Sequence, residues 1–215
     1  MEQTRTGLLL VVSGPAGVGK GSINGALMAR NGDIRMSVSA TTRAPRAGEI
    51  NGVHYFFKTE AEFQKMIDEG AFLEYMRVFD THYYGTPKSF VEQELAEGRC
   101  VILEIDVKGA MRVKSAYPDA VLIFIAPPSM SELKTRLINR GTESSEAVER
   151  RFETAYRELG YAKEYDYIVV NDILDQAVAR MEHIVSAERC RTARNGELIE
   201  KLLGGVPHYA ESTVE

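Results

Sequence analysis

The sequence predicts an α/β protein built on a doubly wound parallel sheet. Short apolar runs recur along the chain at residues 8–12, 101–103, 121–125 and 168–170. Each run is continuous instead of alternating with polar residues, which is typical of strands covered by helices on both faces. Segments with helical periodicity lie between the runs, and this alternation of strand and helix indicates the fold class.

Helices are indicated by apolar periodicity and by capping signals. Residues 173–190 place a row of apolar side chains on one helical face. Thr59 with Glu62, and Ser129 with Glu132, each match the capping box found where a helix begins. A helix is therefore predicted after each pair.

Composition and charge exclude several classes of protein. The chain has 215 residues, of which 44% are hydrophobic and 27% are charged, as is ordinary for a soluble globular protein. Its 26 basic and 31 acidic residues give a formal net charge of −5. Such a chain is a poor candidate for non-specific binding to duplex nucleic acid, although a local arginine cluster can still bind a small anion.

Cysteine usage and the lengths of the apolar runs predict a cytoplasmic protein without a membrane anchor. Cys100 and Cys190 form no CxxC pair, so neither a disulfide framework nor a zinc ribbon is indicated. The run at 8–12 is too short for a signal peptide and leads directly into glycines. No apolar run approaches the ~20 residues that span a bilayer.

Two segments interrupt the alternation of strands and helices. Residues 37–87 are rich in Thr, Tyr, Phe and Gly, and strand-like runs at 54–57, 72–78 and 82–84 surround one helix, which predicts an inserted β-rich subdomain. Residues 129–160 are predicted to form two helices with dense charge of both signs. The predicted divisions are core segments 1–36, 88–128 and 161–203, insertions 37–87 and 129–160, and a flexible tail at 204–215.

A glycine-rich loop with the spacing GxxxxGK follows the first strand and opens a helix. Glycines let backbone N–H groups turn towards an anion, and the amino end of the helix adds partial positive charge. The lysine that ends the pattern, Lys20, is placed to reach the outer phosphates of a nucleotide. The predicted nucleotide-phosphate residues are Gly14, Pro15, Ala16, Gly17, Val18, Gly19, Lys20, Gly21 and Ser22.

The loop departs from its usual form at position 21. The usual motif ends with Ser or Thr, whose hydroxyl binds Mg²⁺, whereas this chain has Gly21 followed by Ser22. Successive helical residues point about 100° apart, so Ser22 does not simply replace the missing ligand. We expect Mg²⁺ to be held by nucleotide phosphates and water, with the protein ligand unknown.

A second anion site is predicted from two arginines three residues apart. Pro45 disfavours a helix at the residue before it, so Arg43 and Arg46 are carried by a loop. Two converging guanidinium groups suit a phosphate, and the phenolic groups of Tyr55 and Tyr84 can donate to the same anion. The alternative is that the arginines are solvated and the tyrosines belong to the core.

Taken together, these segments resemble the guanylate kinase family. The resemblance is carried, in order, by GPAGVGKG, SVSATTRAPRAGE, the strand GVHYFF, FLEYMRVF with HYYGT, ILEIDVKGA, IFIAPPS and IVVND, from about residue 8 to 190. It implies a P-loop NTPase-type fold with a GMP-binding insertion and a helical lid. It also implies transfer of the γ-phosphate of ATP to GMP or dGMP, giving ADP and GDP, with Mg²⁺ as cofactor, in purine metabolism and GMP recycling. The implied partners are nucleotides alone, without nucleic acid or membrane, bound by a monomer or homodimer.

The resemblance implies roles for individual residues. The GMP phosphate is assigned to Arg43, Arg46, Tyr55 and Tyr84, and guanine to Ser39, Glu74 and Thr86, with Gly85 and Asp106 completing the GMP set. Asn171 is assigned to the adenine side of ATP, where the alternative is a residue that forms a turn. Arg140 and Arg151 are assigned to the lid and, with Lys20 and Asp106, to catalysis. For the lid arginines the alternative is a solvated, salt-bridged helix face.

The chemistry of Glu74 supports its assignment independently. Guanine presents N1–H and its 2-amino group side by side, and one carboxylate can accept both hydrogen bonds, while the hydroxyls of Ser39 and Thr86 serve O6 or adjacent atoms. Adenine has an acceptor at N1 and no 2-amino group, so its lone pair would face the carboxylate. Sites built on such hydrogen bonds discriminate by roughly 10⁴–10⁵.

Two acids are predicted to end a buried strand. Alternation places Glu104 and Asp106 on the same side, at the carboxyl edge where open α/β sheets bind ligands. Asp106 would there orient a metal-bound water or an arginine. The alternative is an acid that only caps the strand.

Two other functions stay open. A non-catalytic guanylate-kinase-like binding module has little need for the phosphate loop and its lysine, which are both intact here. A related P-loop kinase acting on a sugar phosphate would not need Glu74, Thr86 and the two tyrosines together. A turnover assay with GMP and ribose phosphates as acceptors separates these possibilities.

Overall fold

The structure, a computed structural model, describes residues 7–78, 81–139 and 145–204. The strands in these residues are β1 (Leu8–Ser13), β2 (Ile34–Met36), β3 (Ala40–Thr41), β4 (Phe56–Phe57), β5 (Phe72–Val78), β6 (His82–Pro87), β7 (Cys100–Glu104), β8 (Val121–Ala126) and β9 (Tyr167–Val170). The α-helices are α1 (Lys20–Arg30), α2 (Glu60–Asp68), α3 (Lys88–Ala96), α4 (Val107–Ala116), α5 (Met130–Asn139), α6 (Ser145–Leu159), α7 (Leu174–Arg189) and α8 (Gly196–Gly204).

The central sheet is parallel and has the strand order β2-β7-β1-β8-β9. β2 and β7 lie on one side of β1, and β8 and β9, which come later in the chain, lie on the other side. The direction of the strand order therefore reverses at β1, as in a doubly wound sheet. The predicted fold class is therefore confirmed, and the four predicted strands are β1, β7, β8 and β9. The sequence does not predict β2, which is short and carries the exposed Arg35 at its centre.

Burial of both faces of the sheet explains the continuous apolar run of β1. Leu8, Leu10 and Val12 pack on one face with residues of α1 and α7. Leu9 and Val11 pack on the other face with residues of α3 and α4. None of these side chains is more than 5% exposed. Burying an aliphatic side chain contributes about 1.5–3 kcal/mol, so this strand is a rigid support for the loop that follows it.

A second sheet, formed within residues 40–87, has the order β4-β3-β6-β5. α2 covers it through Phe63, whose ring stacks on that of Phe72 with 4.4 Å between centroids. The predicted capping box of α2 is confirmed, since Glu62 N donates to Thr59 Oγ1 at 3.2 Å and Thr59 N donates to the Glu62 carboxylate at 2.7 Å.

Two strands of this sheet differ from their predicted bounds. The run at 54–57 is a strand only at β4, because the chain before it turns, with His54 N donating to Ile50 O at 3.0 Å and Gly52 at φ +78°. The run at 82–84 continues to the end of β6, which places Thr86 opposite Glu74 of β5.

The segment 129–160 contains α5 and α6, which an ion pair between Lys134 and Glu149 links at 3.0 Å. At the start of α5, Ser129 Oγ accepts from Glu132 N at 3.1 Å, while the Glu132 carboxylate accepts from Arg136 Nε at 3.0 Å. The sequence predicts that the Glu132 carboxylate completes a capping box, whereas in the structure it forms an ion pair with Arg136 within the helix.

The predicted helix at 173–190 is α7, and α8 is not predicted by the sequence. Of the predicted tail, residues 205–215 lie outside the described residues. Among the helices that the structure describes, none has the length and apolar character needed to cross a bilayer.

Candidate active site

The phosphate loop joins β1 to α1 and requires glycine at two crowded positions. A Cβ on Gly14 would lie 2.3 Å from the carbonyl oxygen of Ile125, and a Cβ on Gly19 would lie 2.5 Å from Nδ2 of Asn171. Gly19 also has φ +95°, in the left-handed region that favours glycine. The loop therefore lies tightly against the chain at the carboxyl ends of β8 and β9.

Lys20 begins α1 and folds back over the loop. Its ammonium group donates to the carbonyl oxygens of Gly14 at 2.6 Å and Pro15 at 3.2 Å. The first turn of α1 contains no acidic residue. Its N-cap residue is Gly19, so no side chain at this position caps the helix amides. The amino end of α1 thus combines backbone N–H groups with a lysine, a charge pattern that binds phosphate.

A carboxylate lies beside the position where the loop departs from its usual form. A Cβ on Gly21 would lie 3.9 Å from Oε2 of Glu104, and this oxygen accepts from Nδ2 of Asn24 at 2.8 Å. Gly21 and Ser22 are both exposed on the first turn of α1. The end of β7 therefore supplies an acidic group next to the phosphate loop.

The strand argument for Asp106 is wrong. β7 ends at Glu104, and Asp106 is the N-cap of α4, where its carboxylate accepts from Gly109 N at 2.7 Å. It therefore caps a helix and neither alternates with Glu104 along a strand nor caps one. It still lies at the carboxyl edge of the central sheet.

The two predicted phosphate arginines are joined by an acid that sequence reasoning missed. Arg43 Nη2 donates to Glu49 Oε1 at 2.8 Å, and Arg46 N donates to Glu49 Oε2 at 2.7 Å. This hydrogen bonding lowers the pKa of Glu49 to about 2 and raises the pKa of Arg43 above its ordinary value. Glu49 lies three residues after Arg46, across the turn at Gly48. This spacing is the signal that could have predicted the contacts of Glu49 with the two arginines.

The predicted tyrosines lie beside the first arginine. The Arg43 Cζ is 5.4 Å from the centre of the Tyr55 ring, and the rings of Tyr55 and Tyr84 meet edge to face with 5.9 Å between centroids. Burial raises the pKa of Tyr55, so its phenol remains a hydrogen-bond donor across the neutral range. The structure thus brings Arg43, Tyr55 and Tyr84 together.

Two of the three predicted base-binding residues, Glu74 and Thr86, lie opposite each other on neighbouring strands. Thr86 Oγ1 donates to Glu74 Oε1 at 3.0 Å, and Glu74 is only 7% exposed. Between them in sequence, Gly85 allows the strands to approach, since a Cβ there would lie 2.9 Å from side-chain atoms of Phe72 and Tyr75.

A cavity of about 240 Å³ lies between Thr86 of this pair and the end of β7. Its lining includes Ser39, Tyr55 and Thr86 from the second sheet and its loops, and Glu104 and Ile105 from the end of β7.

The carboxyl group of Glu74 has a raised pKa, chiefly because it is buried. The carboxylate of Asp106 raises this pKa further, whereas the hydrogen bond from Thr86 and the positive charge of Arg112 lower it. Glu74 thus lies close to the first turns of α4. A group that donates two hydrogen bonds to this carboxylate would favour its ionised form.

The lid residues are only partly covered by the structure. Arg140 lies outside the described residues, and Arg151 lies partly exposed on α6. Sequence reasoning did not single out Glu158 of α6. Burial raises the pKa of its carboxyl group, and the positive charge of Lys20 lowers it. The carboxyl-terminal part of α6 therefore approaches the phosphate loop.

Asn171 follows β9 and contacts the phosphate loop. It is 7% exposed, and its Nδ2 donates to the carbonyl oxygen of Val18 at 2.7 Å. The structure therefore places this amide against the loop backbone, which is a different role from that of a residue that only forms a turn.

The site combines a phosphate-binding loop at the carboxyl edge of a parallel sheet with a cavity beside a second sheet, where Arg43 lies near the cavity-lining Tyr55. This fold and this site define a P-loop nucleotide-binding protein.

Comparison with known proteins narrows the class. A family model described as guanylate kinase matches residues 6–188. A guanylate kinase of Caldanaerobacter subterraneus subsp. tengcongensis is 53% identical over 202 residues, which cover 94% of this chain and 98% of that protein. A guanylate kinase of Desulfitobacterium hafniense is 50% identical over 194 residues, covering 90% and 96%. The crystal structure of guanylate kinase from Anaplasma phagocytophilum matches with a TM-score of 0.74 at 31% identity, covering 94% and 96%. This chain belongs to the guanylate kinase family, which confirms the resemblance found in the sequence.

Proposed function

We propose that this protein transfers the γ-phosphate of ATP to GMP or dGMP and releases ADP and GDP. The observation that carries the proposal is the cavity between the two sheets. Glu104, which lies beside the phosphate loop, lines it on one side, while Ser39, Tyr55 and Thr86 line it on the other. An acceptor seated in this cavity lies between the phosphate loop and the residues suited to reading a base.

The acceptor side has the chemistry of a purine monophosphate site. Arg43 and Arg46 supply positive charge, and Tyr55 and Tyr84 supply phenolic donors, for the phosphate of GMP. Glu74 accepts the N1–H and 2-amino hydrogens of guanine, and the hydroxyls of Thr86 and Ser39 serve the adjacent edge, beside Gly85. Because Glu74 is buried, a base that cannot donate to it leaves the carboxylate with the hydrogen bond from Thr86 and none from the base, which disfavours adenine.

The donor side holds the triphosphate and stabilises the charge that moves. The loop from Gly14 to Gly21, with Ser22, surrounds the phosphates of ATP, and Asn171 belongs to the same side of the site. Lys20, Arg140 and Arg151 neutralise charge on the transferred group, which is the main catalytic requirement of phosphoryl transfer. Closure of the lid and of the second sheet excludes water, so that ATP is not hydrolysed.

Mg²⁺ suits the groups next to the loop. The carboxylate of Glu104 lies beside Gly21, and Asp106 follows two residues later, so hard oxygen donors stand at this edge. We propose that nucleotide phosphates and water hold most of the coordination sphere, with Asp106 orienting bound water. When bound, the ion draws charge from the phosphate oxygens.

We also propose how the chain is divided into subdomains and where in the cell the protein works. We assign residues 1–36, 88–128 and 161–203 to the ATP-binding core, 37–87 to the GMP-binding subdomain and 129–160 to the lid. Cys100 and Cys190 are free thiols, which suits the reducing cytoplasm in which GMP is recycled. We propose that the protein works there as a monomer or homodimer.

A coupled ADP-release assay with ATP and GMP, AMP, UMP or CMP tests the proposal. We expect turnover with GMP to exceed that with each other acceptor by orders of magnitude. Ribose 5-phosphate serves as a further acceptor, since preference for it over GMP would indicate a sugar-phosphate kinase. Binding of GMP without ADP release would indicate a non-catalytic module.

A further inference from the structure

We propose that Asn171 is a positioning residue that fixes the peptide between Val18 and Gly19, so that Gly19 N–H points towards the bound phosphates. This inference rests on the proposed function, because it needs the loop to hold the phosphates of ATP. It assigns Asn171 to the loop backbone instead of to the adenine ring.

The position of Asn171 is fixed from several directions. Its backbone N donates to the carbonyl oxygen of Ala126 at 2.8 Å, which ties it to the end of β8. Its own carbonyl oxygen accepts from Arg136 of α5 at 3.1 Å. The side-chain amide leaves this anchored backbone and donates to Val18 O at 2.7 Å in a buried contact. The amide is therefore preorganised before any nucleotide binds.

The contact with Val18 determines which way the next N–H points. A trans peptide is planar, and its C=O and N–H point in opposite directions. Because the carbonyl of Val18 points at Asn171, the N–H of Gly19 points away from Asn171. If this peptide turned over, a carbonyl oxygen would stand where the phosphate needs a donor, and like partial charges would meet.

The backbone at Gly19 makes such a turn easy unless something opposes it. Gly19 has φ +95° and no side chain, so its conformation is poorly restricted by its own sterics. The Asn171 amide also fills the space beside it, since a Cβ on Gly19 would lie 2.5 Å from Nδ2. One side chain thus supplies both the hydrogen bond and the contact that hold the loop.

Asn171→Ala and Asn171→Asp test the inference. Alanine removes the donor without adding charge, and aspartate keeps the shape but presents only acceptors to Val18 O. We expect binding of inorganic tripolyphosphate, measured by calorimetry, to weaken about tenfold in Asn171→Ala, as for the loss of one buried hydrogen bond, and further in Asn171→Asp. The kcat/KM values for ATP and UTP as donors should fall by the same factor, with the KM for GMP unchanged.

Asn31→Ala is the matched control, because Asn31 Nδ2 donates to Leu27 O at the other end of α1. It should lower the thermal unfolding temperature without weakening tripolyphosphate binding. Wild-type affinity for tripolyphosphate in both Asn171 variants would overturn the inference alone, as would a loss seen with ATP but not with UTP, which indicates adenine contact. A wild-type protein that does not bind tripolyphosphate would overturn the donor site and, with it, this inference.

Discussion

Glu49 and Arg43 form an ion pair of 2.8 Å, and the same carboxylate accepts the backbone N–H of Arg46 at 2.7 Å. One acid thus holds the guanidinium of Arg43 and the backbone of Arg46 in the proposed phosphate site. Since the pKa of Glu49 is about 2 and its ordinary value is 4.5, the pair contributes stability above pH 4.5 and loses it as the pH falls towards 2. The carboxylate of Glu49 is therefore ionised, and its ion pair with Arg43 is present, at neutral pH.

Glu49→Gln should raise the KM for GMP about tenfold while leaving the KM for ATP unchanged. A glutamine has one acceptor oxygen, so it cannot hold Arg43 and Arg46 together, and losing one charge-assisted hydrogen bond has about this effect. Initial rates at saturating ATP measure the change, with the exposed Glu60→Gln as control. An unchanged KM for GMP would show that Glu49 does not support phosphate binding, and a lowered KM would show that its carboxylate chiefly repels the phosphate.

Glu74→Gln should remove most of the preference for GMP over AMP. The variant presents an amide N–H₂ group where guanine needs an acceptor, so the ratio of kcat/KM for GMP to that for AMP should fall at least about 10²-fold. The coupled ADP assay with both acceptors measures this ratio. Glu69→Gln, at the exposed end of α2, is the control. Unchanged selectivity in Glu74→Gln would remove Glu74 from guanine recognition.

The raised pKa of Glu74 predicts opposite pH trends for stability and for GMP binding. The folded protein holds the proton of this buried carboxyl more tightly than the unfolded chain does. Stability from this group is therefore greatest below pH 4.5 and falls as the pH rises through the raised pKa. Urea unfolding of the wild type and of Glu74→Gln should show this loss in the wild type alone.

GMP affinity should follow the reverse course, since guanine needs the ionised carboxylate. Calorimetry across the same pH range should show GMP binding that strengthens with rising pH in the wild type and not in Glu74→Gln. Equal pH slopes for the two proteins, in either measurement, would contradict the burial effect.

Continuous apolar runs predict the central sheet well because both of its faces are buried, as the packing of Leu9 and Leu10 on opposite sides shows. The same signal cannot reveal β2, whose exposed Arg35 breaks the run, nor the end of β6, where Gly85 and Pro87 are poor strand formers. Those strands depend on pairing with neighbours that are distant in sequence.

The site residues likewise include some that local sequence patterns predict and others that they do not. Phosphate-loop spacing and the arginine pair are local patterns, so the sequence predicts them. The contact of Asn171 with Val18 depends on two distant parts of the chain meeting at the edge of the sheet, which no local pattern specifies. The prediction for Asp106 is wrong because it continues the strand pattern past Glu104, where β7 ends. Asp106 is instead the N-cap of α4.

Arg151→Ala should lower kcat at least about 10²-fold, because a positioned arginine on the transferred phosphate is worth ~10³–10⁵ in related reactions. The adjacent Arg150→Ala is the matched control, since Arg150 is exposed on the same turn of α6. Single-turnover rates with saturating ATP and GMP separate the chemical step from binding. Wild-type turnover in Arg151→Ala would end its assignment to the lid.

Lys20→Met should lower kcat at least about 10²-fold and leave the KM for GMP nearly unchanged. The ammonium group now donates to Gly14 O and Pro15 O, and these two carbonyls hold it over the loop before ATP arrives. Methionine keeps most of the length of the side chain and removes one preorganised charge, so the loss falls on the transition state more than on acceptor binding. Lys88→Met is the matched control because Lys88 also begins a helix, α3. If Lys20→Met kept turnover within fivefold of the wild type, the loop would bind phosphate without its lysine taking part in transfer.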